Sequence, residues 1–284
     1  MNLEAWWHLP CMAWEGLVRA VGADCPLCGA RVGGGGLCPG CHADIVATMH
    51  PDVPRCPRCA LRLGEGGDAR VRARTCPDCL RRRPALDWTI AGFDYEAPAD
   101  LLISRFKEAG DLSLAAPIAG LIRRALNAEA LAVLGAGCPA AVAPGTSGPA
   151  SGPPRPPAVL VPIPASRASL RRRGFNPAAE LARALARQCR LPCRGHWLQR
   201  AGHAPKQATL TRDARLTAPR RLYTCPQPVT GATVVLVDDV MTTGSTLDAA
   251  ALVLRAAGAA RVVALVAARA PGGGGGTLAQ YRLP

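Results

Sequence analysis

Residues 234–246 read VVLVDDVMTTGST, and this stretch decides the fold. Val234 to Val237 is a continuous apolar run rather than an alternating one, the pattern of a strand covered on both faces. Two acids, Asp238 and Asp239, end the run. A loop of small hydroxyl residues around Gly244 follows, and it opens a helix over residues 246–257 that Gly258 stops. In open α/β sheets, ligands bind beyond the carboxyl ends of the strands. Backbone N–H groups and hydroxyls of Thr242, Thr243, Gly244, Ser245 and Thr246, set at a helix N-terminus, make a cradle for phosphate. Asp238 and Asp239 repel phosphate but suit the hydroxyls of an attached sugar, or an associated Mg²⁺. The combination selects a phosphorylated sugar. It is not a Walker loop, because no Gly-Lys-Ser/Thr is present.

Working outward, VLVPIP from Val159 and RVVALVAA from Arg261 repeat the buried-strand pattern. Between them, Asn176 and Pro177 start a helix whose buried face carries Leu181 and Leu185. Residues 167–174 read as a basic loop. Upstream, DWTIAGFDYEA reads as a short strand pair. Leu101, Leu102, Ile103 and Phe106 mark a helix before the Gly110-Asp111 turn, and residues 114–127 a second one. Strands alternating with helices predict an α/β class with a parallel sheet and flanking helices. Residues 135–158, rich in Pro, Gly, Ser and Ala without periodicity, read as a disordered insertion. The expected organisation is an apolar helical segment at 1–24, a cysteine-rich domain at 25–84, the α/β domain at 85–270 and a flexible Gly-rich tail at 271–284. The cluster Trp6, Trp7 and Trp14 has no role that the sequence assigns.

Eight of the 13 cysteines fall in four CxxC pairs: Cys25/Cys28, Cys38/Cys41, Cys56/Cys59 and Cys76/Cys79. Each CxxC turn aims two sulfurs at one centre, and two turns supply the tetrahedral thiolate set that Zn²⁺ prefers. About two structural zinc ions are expected. Sequential pairing closes the shorter loops at lower entropic cost; a cross-brace joining the first pair to the third is the alternative. His42 and His50 are read as bystanders. The segment has few large aliphatic residues and depends on metal to fold. Its arginines, including Arg55, Arg58, Arg62, Arg70, Arg72, Arg74 and Arg81 to Arg83, read equally as a nucleic-acid contact or as a solvated basic face.

The chain has 284 residues, with 34 Lys+Arg against 20 Asp+Glu, a net charge of +14. That length suggests one or two domains and needs no disulfides. A hydrophobic content of 49% excludes a wholly disordered chain. The positive balance attracts nucleic acid or phosphates. Lys107 and Lys206 are the only lysines; Arg carries the rest, and the abundance of Ala, Gly and Pro allows genome composition to explain much of it. No apolar run reaches the roughly 18 residues of a membrane span. The first residues, MNLEAWWHLP, make a poor signal peptide. A cytoplasmic location is expected, where paired thiols hold metal.

The motif at 234–246 resembles the phosphoribosyl pyrophosphate (PRPP) signature of type I phosphoribosyltransferases. Three further stretches resemble one branch, the ComF/GntX-like competence family. They are VPIPASRASLRRRGFNPAAELA at 161–182, LISRFKEAGD at 102–111 and RAGHAPKQATLTRDAR at 200–215. The four CxxC pairs fit its amino-terminal double zinc ribbon. The sequence departs from the family pattern at Pro177, where Gln is usual, at Ala204, where Thr is usual, and after Arg215, where an Asn is missing. The resemblance implies a type I phosphoribosyltransferase-like sheet and a phosphoribosyltransferase (glycosyltransferase) site. Asp238 and Asp239 would hold the ribose hydroxyls as the catalytic pair, and Thr242 to Thr246 the 5′-phosphate. Arg167, Arg171, Arg172 and Arg173 would face pyrophosphate or nucleic acid. Lys107, Arg200 and Gln207 would belong to a hood or flexible loop. Magnesium would accompany PRPP. Implied partners are PRPP, single-stranded DNA, and a DNA-uptake helicase or other competence proteins. An active transferase with an unknown acceptor and a non-catalytic regulator would share the same ligand site.

Overall fold

The computed structural model describes residues 22–33, 36–50, 53–63, 75–135, 158–201 and 222–271. The Trp cluster, Gln207, residues 136–157 and the Gly-rich tail beyond Pro271 lie outside the described residues.

The centre is a four-stranded sheet in the order β3-β8-β7-β4, formed by Thr89–Asp94, Arg261–Arg269, Thr233–Met241 and Val159–Pro162; the short strands β1 (Gly22–Asp24), β2 (Arg31–Gly33), β5 (Gln199–Arg200) and β6 (Tyr223–Thr224) lie elsewhere. Every neighbouring pair is parallel. The apolar run of β7 explains why, because its side chains serve two cores. Val235 and Val237 point to one face with Val263, Leu265 and Ala267 of β8. Val234 and Leu236 point to the other with Val262, Ala264 and Val266.

Helices cover the first face. They are α3 (Ala99–Lys107), α4 (Ala115–Arg124) and α7 (Pro177–Cys189), following α1 (Pro39–Ala47) and α2 (Pro77–Arg82) of the cysteine-rich region. Leu102, Ile103, Phe106, Ile118, Ile122, Leu181 and Leu185 are buried there. Gly92 permits the approach of α4, since a Cβ at that position would lie 3.1 Å from Ile122 Cγ1. The second face carries α8 (Ser245–Ala256), through Leu247, Ala250 and Leu254, and the second cysteine group.

Several local readings change. The stretch at 87–97 is one strand, β3, not a pair, because its partner is β8 from the far end of the chain. The helix read at 114–127 is α4 and ends at Arg124; a further helix that the reading did not include, α5 (Ala128–Leu134), follows, started by Asn127, whose Oδ1 accepts from Ala130 N–H at 2.8 Å. At the two ends of the 135–158 stretch, Gly135 closes α5 and Ala158 is fully buried. The basic loop at 167–174 is a helix, α6 (Arg167–Arg173); Ser166 caps its start and Gly174, at φ 78°, ends it. Asn176 stands at the start of α7, but its side chain donates to the Ile163 carbonyl at 2.9 Å instead of capping.

The cysteine-rich region begins with a small antiparallel pair, β1 (Gly22–Asp24) and β2 (Arg31–Gly33). It is tied into the α/β body. Ile45 of α1 is fully buried in the helical core. Asp94, at the C-terminal end of β3 and 1% exposed, accepts from Arg55 Nη1 at 2.9 Å and Nη2 at 2.6 Å, and lies 3.2 Å from Arg62 Nε. A buried carboxylate is tolerated only when such donors replace its lost hydration. These arginines are therefore internal clamps, which corrects their reading as solvated or nucleic-acid-facing groups. Arg58 likewise donates inward, to the Leu86 carbonyl. Arg70, Arg72 and Arg74 lie outside the described residues. Among the described residues no helix is long and apolar enough to cross a membrane.

Candidate sugar-phosphate site and cysteine centres

The site forms where β7 ends. The strand runs past the two acids to Met241, because Val240 and Met241 still pair with Ala268 and Arg269 of β8. Each carboxylate turns along the chain: Asp238 Oδ1 accepts from Asp239 N–H at 2.9 Å, and Asp239 Oδ1 from Val240 N–H at 2.8 Å. Asp239 lies on the helical side of the sheet, where Lys107 Nζ reaches its Oδ2 at 2.9 Å. Burial, and next the charge of Asp239, push the Asp238 carboxyl well above the usual carboxylate range; Lys107 offsets this only in part.

Beyond Met241 the chain leaves the sheet. Thr242, Thr243, Ser245 and Thr246 are exposed, and Gly244 turns the backbone at φ 77°. Thr243 Oγ1 and Ser245 Oγ are 3.0 Å apart. The cap residue of α8 is Gly244, which has no side chain to offer. Ser245 N–H donates to Thr243 Oγ1 at 3.4 Å, and the next N–H groups of the first turn, at Thr246 and Leu247, face an anion-binding position. The loop after β4 lies alongside, since Ile163 N–H donates to the Val237 carbonyl at 2.9 Å. Behind it, Arg173 pairs with Glu108 at 2.6 Å and Arg172 approaches the same carboxylate at 4.0 Å. Arg167 and Arg171 are exposed. A cleft of about 400 Å³ opens between Tyr95, Lys107, Val240, Thr242 and Ala270. Lys107, Asp239 and the hydroxyl loop thus meet in one place. Arg200 does not join them in any recorded bond: it is exposed on β5 (Gln199–Arg200), which pairs with β6 (Tyr223–Thr224), and its guanidinium lies 5.7 Å from the Tyr223 ring centre.

The cysteines resolve into two tetrads, Cys25, Cys28, Cys38, Cys41 and Cys56, Cys59, Cys76, Cys79; within each, all four sulfurs lie within 4.8 Å of one another. This is the sequential pairing. Backbone N–H groups point at the sulfurs, from Cys38 to Cys25 Sγ and from Cys76 to Cys56 Sγ, both at 3.4 Å. Burial opposes ionisation of Cys25, yet the N–H groups of Cys38, Cys28 and Leu27 outweigh it and lower the thiol to about 6. The Cys59 side chain lowers Cys56 to about 4 against the cost of burial. Four crowded sulfurs with donors aimed at them fit Zn²⁺ held as thiolates. All four cysteines of the second tetrad are buried, whereas Cys28 of the first is exposed.

The sequence reading missed one member of this neighbourhood as a loop contact. Arg82, at the end of α2, donates from Nη2 to the Thr243 carbonyl at 3.0 Å. No spacing signals a contact between residues so far apart in the chain.

Comparison with known proteins agrees with this geometry. Residues 168–276 match the phosphoribosyl transferase domain family. The chain thus carries a phosphoribosyl transferase domain on its parallel sheet, preceded by a cysteine-rich region that fits a zinc ribbon. It is homologous to competence protein F of Haemophilus influenzae, 27% identical over 227 residues, covering 78% of this chain and 84% of that one. It is also homologous to the DNA utilization protein YhgH of Salmonella typhi, 28% identical over 233 residues, with 78% and 85% covered. The Escherichia coli O157:H7 protein of the same name is 28% identical over 221 residues.

Proposed function

We propose that the protein binds PRPP at the end of β7 and serves DNA uptake in natural competence, in the cytoplasm. The observation that carries the ligand assignment is the exposed hydroxyl loop at a helix N-terminus whose cap residue is Gly244, shortly after two acids. The loop suits the 5′-phosphate, and Asp238 and Asp239 suit the ribose hydroxyls. Lys107 keeps the charge of Asp239 compensated while the site is empty of sugar, and ribose hydroxyls would compete with it for that carboxylate. Arg167 and Arg171, exposed on α6 beside the end of β4, suit the pyrophosphate. Magnesium, held with PRPP, would neutralise the pyrophosphate oxygens. If transfer at C1 takes place, the protein's contribution is positioning and charge stabilisation of the departing pyrophosphate, with no covalent nucleophile.

The DNA role rests on the names of the relatives and on the basic surface. Single-stranded DNA and a DNA-uptake helicase or another competence protein are the proposed partners.

Titration calorimetry tests the ligand. The wild-type protein is expected to bind PRPP with Mg²⁺, and Asp238→Asn combined with Asp239→Asn is expected to abolish binding while circular dichroism stays native. Equal affinity in the double variant would refute the site. Pyrophosphate release in the presence of candidate acceptors, with and without single-stranded DNA, then distinguishes a transferase from a binding protein.

A further inference from the structure

The second cysteine group grips the anion loop before, within and after its turn. Arg269, 6% exposed, donates from Nε to the Cys59 carbonyl at 2.8 Å and from Nη1 to the Met241 carbonyl at 3.1 Å. Arg82 holds the Thr243 carbonyl. Ala85 N–H donates to Asp248 Oδ1, in the first turn of α8, at 2.7 Å. Among the described residues, no hydrogen bond or ion pair links the first cysteine group to residues 241–248.

The Arg82 contact has a specific stereochemical effect. In a trans peptide the C=O and the N–H point in opposite directions. A Thr243 carbonyl held toward the cysteine group therefore turns the Gly244 N–H away from it, to the open side of the loop. That N–H has no protein acceptor among the described residues. Gly244 is also the residue at which such a peptide flips most readily, because glycine occupies both signs of φ. Without an anchor, the 243–244 peptide is free to turn its carbonyl outward and present a negative dipole to the phosphate.

We infer that Arg82 is a positioning residue of the anion loop, fixing the 243–244 peptide with its N–H facing the bound phosphate. The inference rests on reading the loop as a sugar-phosphate site. Three variants test it: Arg82→Ala, Arg82→Lys, which keeps a donor, and Arg31→Ala, which removes the same charge from the first cysteine group. PRPP affinity is measured by calorimetry at low and high salt, and the Gly244 amide resonance is followed by NMR in the ligand-free proteins. Loss of one charge-assisted hydrogen bond corresponds to roughly a tenfold change in an equilibrium constant, or somewhat more. Arg82→Ala is expected to weaken binding by about that factor at both salt concentrations, with Arg82→Lys recovering most of it and Arg31→Ala losing less than about twofold at high salt. The Gly244 resonance is expected to shift or split in Arg82→Ala alone. An unperturbed Gly244 amide, or an affinity loss matched by Arg31→Ala, overturns the role of Arg82. If the wild-type protein binds no PRPP, the proposed function fails, and the Gly244 resonance still decides whether Arg82 sets the peptide.

Discussion

Asp238 is held at a cost to the fold. Its carboxyl is pushed well above the ordinary range by burial and by Asp239. A carboxyl whose folded pKa exceeds its unfolded value contributes stability below the unfolded pKa and loses it as pH rises through the folded one. At neutral pH, above the unfolded value, the group therefore opposes folding. Asp238→Asn is expected to raise the melting temperature of the ligand-free protein at neutral pH. The gain should shrink on acidification and vanish below the usual carboxylate range, where the wild-type residue is protonated in both states. In a chain of this size, each kcal/mol moves the midpoint by about 2–4 °C, so differential scanning fluorimetry across pH resolves the effect; a lower midpoint for the variant at neutral pH would contradict it. At this scale the sequence was legible wherever the chemistry is local. Asp238, Asp239 and the hydroxyl loop adjoin one another in the chain, so their sharing the end of one strand was readable from spacing alone. Lys107 against Asp239, Arg82 against Thr243 and Arg55 against Asp94 join residues brought together only by tertiary packing. No spacing encodes such pairs.

The elements follow the same division. The buried strands β4, β7 and β8 were readable because a parallel strand with two covered faces must be apolar throughout. Helix α6 was not, because seven residues with three consecutive arginines present no buried face, and indeed none of them is buried. The CxxC pairs were legible as knuckles, and their sequential grouping follows from loop length. Their unequal environments were not, because burial depends on what packs over them. That inequality has a measurable consequence. Two Zn²⁺ per chain are expected in freshly purified reduced protein. A chromogenic chelator should remove them in two phases, the first tetrad, with its exposed Cys28, before the fully buried second. Cys28→Ser should abolish the fast phase and leave the slow one. Release in a single phase would mean that the two centres open together, and absence of zinc would exclude the metal reading of both.

At the scale of the whole molecule, the charge of +14 overstates the surface available to DNA. Arg55, Arg62 and Arg269 are used internally. Exposed arginines such as Arg83, Arg167 and Arg171 remain. Single-stranded DNA should bind in the micromolar range without sequence preference. Its log–log salt slope should be about −0.7 per phosphate contacted. Aromatic residues are 4% of the chain, so base stacking contributes little. Fluorescence anisotropy with a labelled oligonucleotide across a salt series checks this; binding insensitive to salt would rule out the basic surface as the DNA contact.

The sheet order carries a consequence for the newborn chain. Strand β3 is the first of the four to leave the ribosome, yet its sheet partner is the last, with Thr89 registered against Ala264. The carboxylate of Asp94 has Arg55 and Arg62 at hand early, but Arg269, which fastens Cys59 to Met241, arrives only with the final strand. Through most of translation, the apolar edge of β3 and the underside of the second cysteine knuckle wait without their cover. The four-stranded sheet therefore closes only when the last strand arrives, and a chain cut short before residue 261 would leave β3 without its sheet partner.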